Sequence, residues 1–225
     1  MTKKHIKTLT APVTWPVKRK SSKFIVRPKP GKSFKMSMPL ALILRDILKY
    51  CKTMKEVKGV LRDNEVMIDR VRKKDEKALL GFMDTLSIPN VDEHFRMALT
   101  TLEKLELKKI TEEESKTKVS KILGKTVLKN KRLQLNLYDG TNLIVKEDKY
   151  KIGDSLLLSL PDKKIKKSFS LEPGSYVYLT KGSHVGEQGI VDKLEGSKVF
   201  VKSGDNIFET PKEAIFITGK GKSEI

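Results

Sequence analysis

Three histidines (His5, His94 and His184) and one cysteine (Cys51) are the residues of this 225-residue chain best suited to metal binding or nucleophilic attack. The histidines are scattered, and none has a cysteine or carboxylate partner at a metal-ligand spacing. A lone cysteine forms neither an internal disulfide framework nor a CxxC zinc site. Cys51 closes an apolar-striped segment and reads as a small buried or half-buried residue. Glu112, Glu113 and Glu114 follow Thr111, where they suit a helix N-terminus better than a general acid–base pair. The stretch Gly182-Ser183-His184-Val185-Gly186-Glu187-Gln188-Gly189 is glycine-rich but lacks the Gly-Lys-Ser/Thr ending of a phosphate loop. It runs into a strand pattern, Ile190-Val191, where a phosphate loop would enter a helix. The expectation is therefore no catalytic residue, no metal and no cofactor.

The chemistry that remains is electrostatic. Forty-seven Lys and Arg oppose 28 Asp and Glu, a net charge of +19, with an isoelectric point near 9.8. That balance points to a polyanionic partner. Residues 1–35 hold eleven basic side chains and no acidic one; 36–90 carry +3, 91–170 carry +6 and 171–225 carry −1. The first stretch also holds Pro12, Pro16, Pro28 and Pro30 with Gly31, which argue against a regular helix or a central strand. A run so unbalanced repels itself as a free coil and orders when phosphates neutralise it, so residues 1–36 are expected to lack order away from such a partner. Trp15, Phe24 and Phe34 argue against a merely solvated tail. No apolar run approaches the ~18 residues of a membrane helix, and no apolar core follows the basic N-terminus. A soluble intracellular protein is expected.

The elements that must carry these charges follow from periodicity. Pro39 suits a first helical position, and Leu40, Ile43, Leu44, Ile47 and Leu48 form one helical stripe. Thr53 and Glu56 have capping-box spacing before Val57, Val60 and Leu61. Residues 65–72 read as a short strand, and Leu79 to Ile88 as a second apolar run. Strands are expected at 94–99 and 105–110, before a helix at Thr111. Leu133, Leu135 and Leu137 alternate up to Asp139-Gly140, and Leu143 and Val145 alternate away, predicting a hairpin with a primed turn. Short strand runs follow to 214–217, favouring small antiparallel barrels. The fold class is α+β.

Several of these pieces resemble known modules. Residues 37–90 are similar to the helix-pair-plus-hairpin RNA-binding module first known from bacterial ribosomal protein S-four. Tyr176, Val177 and Leu179, with the turn glycines Gly182, Gly186 and Gly189, resemble a KOW motif of small ribosomal and transcription-factor barrels. His5-Ile6-Lys7, Ala11-Pro12 and Trp15 resemble the opening of the archaeal and eukaryotic small-subunit ribosomal protein family S-four-e. The likeness continues in order through Arg27-Pro28, Pro30-Gly31, Pro39-Leu40, Leu44-Arg45-Asp46, Gly81-Phe82-Met83-Asp84 and Ile88. It then takes in Asp139-Gly140, Gly153-Asp154, Gly174, the KOW-like glycines, Ile215-Phe216-Ile217 and Gly219-Lys220-Gly221. Two departures stand out. The family's Gly-Lys-Val-Arg hairpin is replaced by Ile68-Asp69 running into Arg70-Val71-Arg72, and Glu187 stands where a basic residue is common.

The resemblance implies a basic N-terminal extension (1–36), the S-four-type RNA-binding module (37–90), a central β-rich domain (91–170) and a C-terminal SH3-like KOW β-barrel (171–225). It implies a structural constituent of the small ribosomal subunit, cytoplasmic, that holds small-subunit rRNA helices through phosphate and shape contacts. Neighbouring small-subunit ribosomal proteins are expected partners; no membrane and no small-molecule substrate are. In the extension Lys3, Lys4, His5, Lys7, Lys18, Arg19, Lys20, Lys23 and Arg27 are the expected RNA contacts, with Trp15 either stacking on an unpaired base or packing on the protein body. Arg45, Lys49, Lys52 and Lys55 would line an exposed side of the helix pair, with Thr53 reaching phosphate and Arg72, Lys73 and Lys74 extending the patch. Lys181 is the candidate in the KOW-like loop. A KOW-containing transcription-elongation or regulatory RNA-binding factor, and an RNA-modifying enzyme, stand as alternatives.

Overall fold

The computed structural model describes residues 5–129, 132–204 and 206–224. The chain divides into two units, one holding residues up to Ala98 and Glu103–Lys116, the other Leu99–Leu102 and the chain from Thr117 onward. Both are built mainly from antiparallel strands with a few short helices. No helix among the described residues is long and apolar enough to cross a membrane.

In the first unit the basic extension is folded, against the expectation of an unordered arm. β1 (Ile6–Lys7) pairs antiparallel with β2 (Phe24–Ile25). The loop between them turns inward at Trp15, which is 1% exposed and whose indole N–H donates to the Ser37 carbonyl at 2.8 Å. Arg19 braces the loop, donating to the carbonyls of Leu9, Ala11 and Pro12 at 3.3, 3.0 and 2.9 Å. The Leu105 N–H donates to the Thr14 carbonyl at 2.8 Å, and the Lys104 ammonium donates to the Val13 carbonyl. Burying an indole removes about 200 Å² from water, worth roughly 5 kcal/mol. Self-repulsion among exposed, salt-screened lysines is too weak to undo that.

β3 (Ser37–Pro39) pairs with β6 (Leu79–Gly81) and leads into α1 (Leu40–Leu42). The helix then widens into a π-helical turn over Ile43–Ile47, where the Leu48 N–H reaches the Ile43 carbonyl at 2.9 Å. This corrects the single amphipathic helix expected from Pro39, which instead ends a strand. An α-helix turns about 100° per residue, so the five fully buried side chains from Leu40 to Leu44 face all round it. The element is a buried plug rather than a striped surface helix. α2 (Met54–Asp63) has the expected cap: the Thr53 hydroxyl accepts the Glu56 N–H at 3.2 Å, and Val57 and Leu61 are fully buried. Val60 is half-buried.

The strand expected over 65–72 is a hairpin of β4 (Met67–Ile68) and β5 (Val71–Arg72). Asp69 and Arg70 at its tip have φ of +52° and +60°, which side chains other than glycine adopt at a cost. Hydrogen bonds from outside the turn offset that cost. Asp69 accepts the Thr85 N–H at 3.1 Å, and Arg70 donates to the Ser115 hydroxyl at 2.9 Å and the Glu112 carboxylate at 3.2 Å. β4 also pairs with β7 (Thr85–Ile88), which pairs in turn with β8 (Glu93–Leu99). β9 (Leu105–Lys109) completes a five-stranded sheet in the order β5-β4-β7-β8-β9. The boundary expected at residue 90 thus lies inside a hairpin in which Ile88 pairs with Glu93. α3 (Glu112–Ser115) carries a complete capping box from Thr111 and Glu114.

The second unit contains two five-stranded sheets. In the first, β10 (Thr117–Val127) is the long central strand, flanked by β11 (Leu133–Leu137) and β12 (Asn142–Val145) on one side and β13 (Ser155–Ser159) and β14 (Lys164–Phe169) on the other. Ile122, Leu135, Leu137, Leu156 and Leu158 form its core. The Asp139-Gly140 hairpin is present, but of the two residues only Gly140 has positive φ, at +80°. The Leu137 N–H bonds the Thr141 carbonyl at 2.9 Å around a three-residue loop, so the turn is the bulged type rather than a primed one. Within the turn Asp139 meets the buried Lys118 ammonium at 2.8 Å.

The second sheet runs β18 (Asn206–Pro211), β17 (Lys198–Ser203), β16 (Gln188–Glu195), β15 (Ser175–Leu179) and β19 (Ile215–Lys220). Gly186, at φ +82°, lies so close to the backbone of Thr100 and Thr101 that a Cβ would overlap them. The Tyr178 hydroxyl fastens the same passing segment, accepting the Leu99 N–H at 3.2 Å. Lys121, on β10, donates to the carbonyls of Lys212, Glu213 and Ile215 at 3.3, 3.3 and 2.5 Å, and burial lowers its pKa to about 8.

Candidate nucleic-acid interface

The expected RNA contacts fall into separate clusters. His5 and Lys7, brought by β1, and Arg27, just past β2, line one open groove together with Lys29, Lys32 and Phe34. Lys18 on the inter-strand loop lines a second pocket with Arg45 of the widened turn, Lys49 just past it and the hydroxyls of Thr8, Ser21 and Ser22. Lys20 and Lys23 are exposed between them in sequence, with the Lys23 ammonium 5.5 Å from the Phe24 ring centroid. Lys52 and Lys55 are exposed at the start of α2, and Lys74 beyond β5. Lys73 is half-buried, and its N–H returns to the Val66 carbonyl at 2.8 Å. Lys181 stands exposed in the second unit. Lys3 and Lys4 lie outside the described residues.

Some expected contacts are committed elsewhere. Trp15, with its ring buried and its N–H bonded to Ser37, is part of the core and offers no face to a base. Arg19 is bonded to three backbone carbonyls of its own loop. The Thr53 hydroxyl donates to the Glu56 carboxylate at 2.9 Å while accepting its N–H, which leaves the side chain to the cap rather than to phosphate. The Lys52 N–H and this hydroxyl hold the Glu56 carboxyl below its usual range. Arg45 makes two bonds of 2.9 Å to Asp46, which raises its pKa further and fixes the plane of the guanidinium. Arg72 donates to the Arg62 carbonyl at 3.1 Å.

By contrast, Lys7, Lys18, Lys20, Lys23, Arg27, Lys49, Lys55, Lys73 and Lys74 make no ion pair among the described residues. A cation without an intramolecular partner is hydrated and available, and releasing its counterions to a phosphate backbone is favourable. Sequence reasoning missed Lys29 and Lys32 of the groove. Their ammonium groups pair with Asp75 and Asp84, which fixes the groove wall. It also set aside Phe34, although a proline-flanked aromatic in a basic run was the available signal. In the KOW-like loop Gly186 and Gly189 admit the chain's own backbone, and Gly182 takes a left-handed turn at φ +94°, so the glycine pattern there is explained by the chain's own conformation.

A sequence model of the ribosomal family S4e matches residues 91–165, and one of the RS4NT domain matches residues 2–31. The small ribosomal subunit protein eS4 of Methanocaldococcus jannaschii is 38% identical over 232 residues, spanning 96% of this chain and 94% of the relative. The protein of the same name from Methanocella arvoryzae is 36% identical over 223 residues, with the same shares of 96% and 94%. A crystal structure of the 30S ribosomal protein S4e from Thermoplasma acidophilum matches with a TM-score of 0.71 at 32% identity, covering 82% of this chain and 96% of that one.

Proposed function

The chain belongs to the ribosomal family S4e, and on that premise we propose that it holds small-subunit rRNA helices through their phosphates and shape. It is a structural component of the small ribosomal subunit and not an enzyme. Its working place is the cytoplasmic ribosome, beside neighbouring small-subunit proteins. In this reading residues 1–36 and the helix-pair module of 37–90 are the principal RNA contacts. The central β-rich segment 91–170 and the KOW-type barrel of 171–225 complete the scaffold, with Lys181 as the barrel's contact. Because the grooves of paired RNA offer mainly phosphates, 2′-hydroxyls and shape, such a surface reads geometry more than sequence.

The observation that supports this most directly is the set of exposed cations in the first unit that make no ion pair among the described residues. Lys7, Lys18, Lys20, Lys23 and Arg27 come from the extension, and Lys49 follows the widened turn. The transcription-factor and RNA-modifying alternatives have no support among the relatives. The test is the salt dependence of binding to small-subunit rRNA by the full chain. Replacing Lys18, Lys20 and Lys23 with alanine is expected to reduce the log–log slope by about 0.7–0.9 for each phosphate that is no longer neutralised. An unchanged slope would remove these residues from the interface, and failure to co-sediment with washed small subunits would defeat the whole reading.

A further inference from the structure

The groove beside β1 has a feature that phosphate binding alone does not require. Phe34 is 41% exposed, yet it is held from behind by the buried Trp15, with ring centroids 5.4 Å apart and planes inclined at 57°. An aromatic ring packed against the core by Trp15 and still 41% exposed is an apolar surface in the most basic part of the chain. Around it stand His5, Lys7, Arg27, Lys29 and Lys32. The last two are fastened by Asp75 and Asp84, and the Lys29 N–H donates to the Lys77 carbonyl at 3.0 Å, so this wall is already built. His5, Lys7 and Arg27 make no ion pair among the described residues and stay available to a ligand.

We infer that this groove holds one unpaired nucleotide of RNA, its base stacked on Phe34 and its phosphates met by Lys7 and Arg27. The inference rests on the rRNA-binding reading and specifies which part of the RNA enters this place. A ring takes a base by its π-face, and only an unpaired nucleotide can present that face; a helix keeps its bases stacked on one another. An acidic peptide would satisfy the cations but leave the ring without a stacking partner. Trp15, expected from sequence to be able to stack on a base, instead supports the ring that does.

The test uses the full chain and two RNAs with equal numbers of phosphates, a hairpin with an unpaired loop and a fully paired duplex. Phe34→Ala is expected to weaken hairpin binding by about five- to 150-fold, the range for losing one stacked base. Duplex binding and the salt slope should not change, because stacking releases no counterions. Phe34→Leu keeps the apolar bulk without the aromatic face and should lose binding similarly, whereas Phe34→Tyr should retain it. Far-ultraviolet circular dichroism and the thermal midpoint report whether each variant keeps its fold. Equal weakening on both RNAs, no weakening on either, or failure of Phe34→Tyr to retain binding would overturn the inference. If the unaltered chain bound neither RNA, the rRNA-binding reading itself would fall.

Discussion

A lysine ammonium withdrawn from water persists only where anions or carbonyls replace its lost hydration. Lys118 is 1% exposed and meets Asp139 at 2.8 Å. Burial alone would push the Asp139 carboxyl up, but Lys118 and the Thr141 hydrogen bonds hold it well below the usual range. Its contribution to stability is therefore complete above the ordinary value of 3.8 and lost as acid titrates the folded carboxylate. Asp139→Asn should cost about 3–5 kcal/mol in urea unfolding at neutral pH, because the buried ammonium loses the charge of its Asp139 partner. Lys121 also has a lowered folded-state value, but here because burial disfavours the charged form. Its pKa falls from 10.5 to about 8 on folding, so between those values the unfolded chain binds more protons. Stability should accordingly rise across that window relative to Lys121→Met, as measured by denaturant midpoints at a series of pH values. A flat difference would mean that the three carbonyls around the ammonium compensate its burial.

At the scale of elements, what local rules govern was readable and what long-range pairing governs was not. Thr53 with Glu56 announced the start of α2, and Thr53→Ala should cost about 1 kcal/mol in thermal unfolding. Thr111 with Glu114 announced α3 in the same way. Asp139-Gly140 announced the hairpin, although the two types of turn share that dipeptide and the three-residue loop could not be told from the primed one. The widened turn after α1 was hidden because Leu40, Ile43, Leu44, Ile47 and Leu48 fit a stripe; only the burial of Ala41 and Leu42 shows that the element is enclosed. Periodicity alone read the β4–β5 hairpin as one strand because Asp69-Arg70 has no glycine, its backbone being held by partners at Thr85, Glu112 and Ser115; only the family resemblance located a hairpin there. Likewise nothing near residue 186 reveals that Thr100 passes against it. Gly186→Ala should destabilise the second unit by several kcal/mol in denaturant unfolding, since both the left-handed φ and the neighbouring backbone resist a Cβ.

For the whole molecule, the concentration of charge at the front was plain from counting, and so was its likeness to an RNA-facing segment. Its participation in the core was not, because a +11 run with five turn formers reads as an arm until Trp15 is seen inside. Deleting residues 1–35 should thus lower the thermal midpoint as well as weaken rRNA binding and flatten its salt dependence. Alanine substitution of Lys18, Lys20 and Lys23 should change only the binding. Calorimetry alongside filter binding separates the two effects. The hydrogen bond from Lys104 to Val13 spans 91 residues of chain. At synthesis rates of about 5–20 residues per second, the front of a nascent chain waits roughly 5–18 s for the partner that closes over it. During that interval the loop that carries Trp15 lacks two of its fastenings beside an unshielded run of cations, in a cell full of RNA. Newly made chains are therefore most prone to capture by the wrong polyanion before residue 105 has emerged, and a chaperone that covered the first 36 residues would act at that moment.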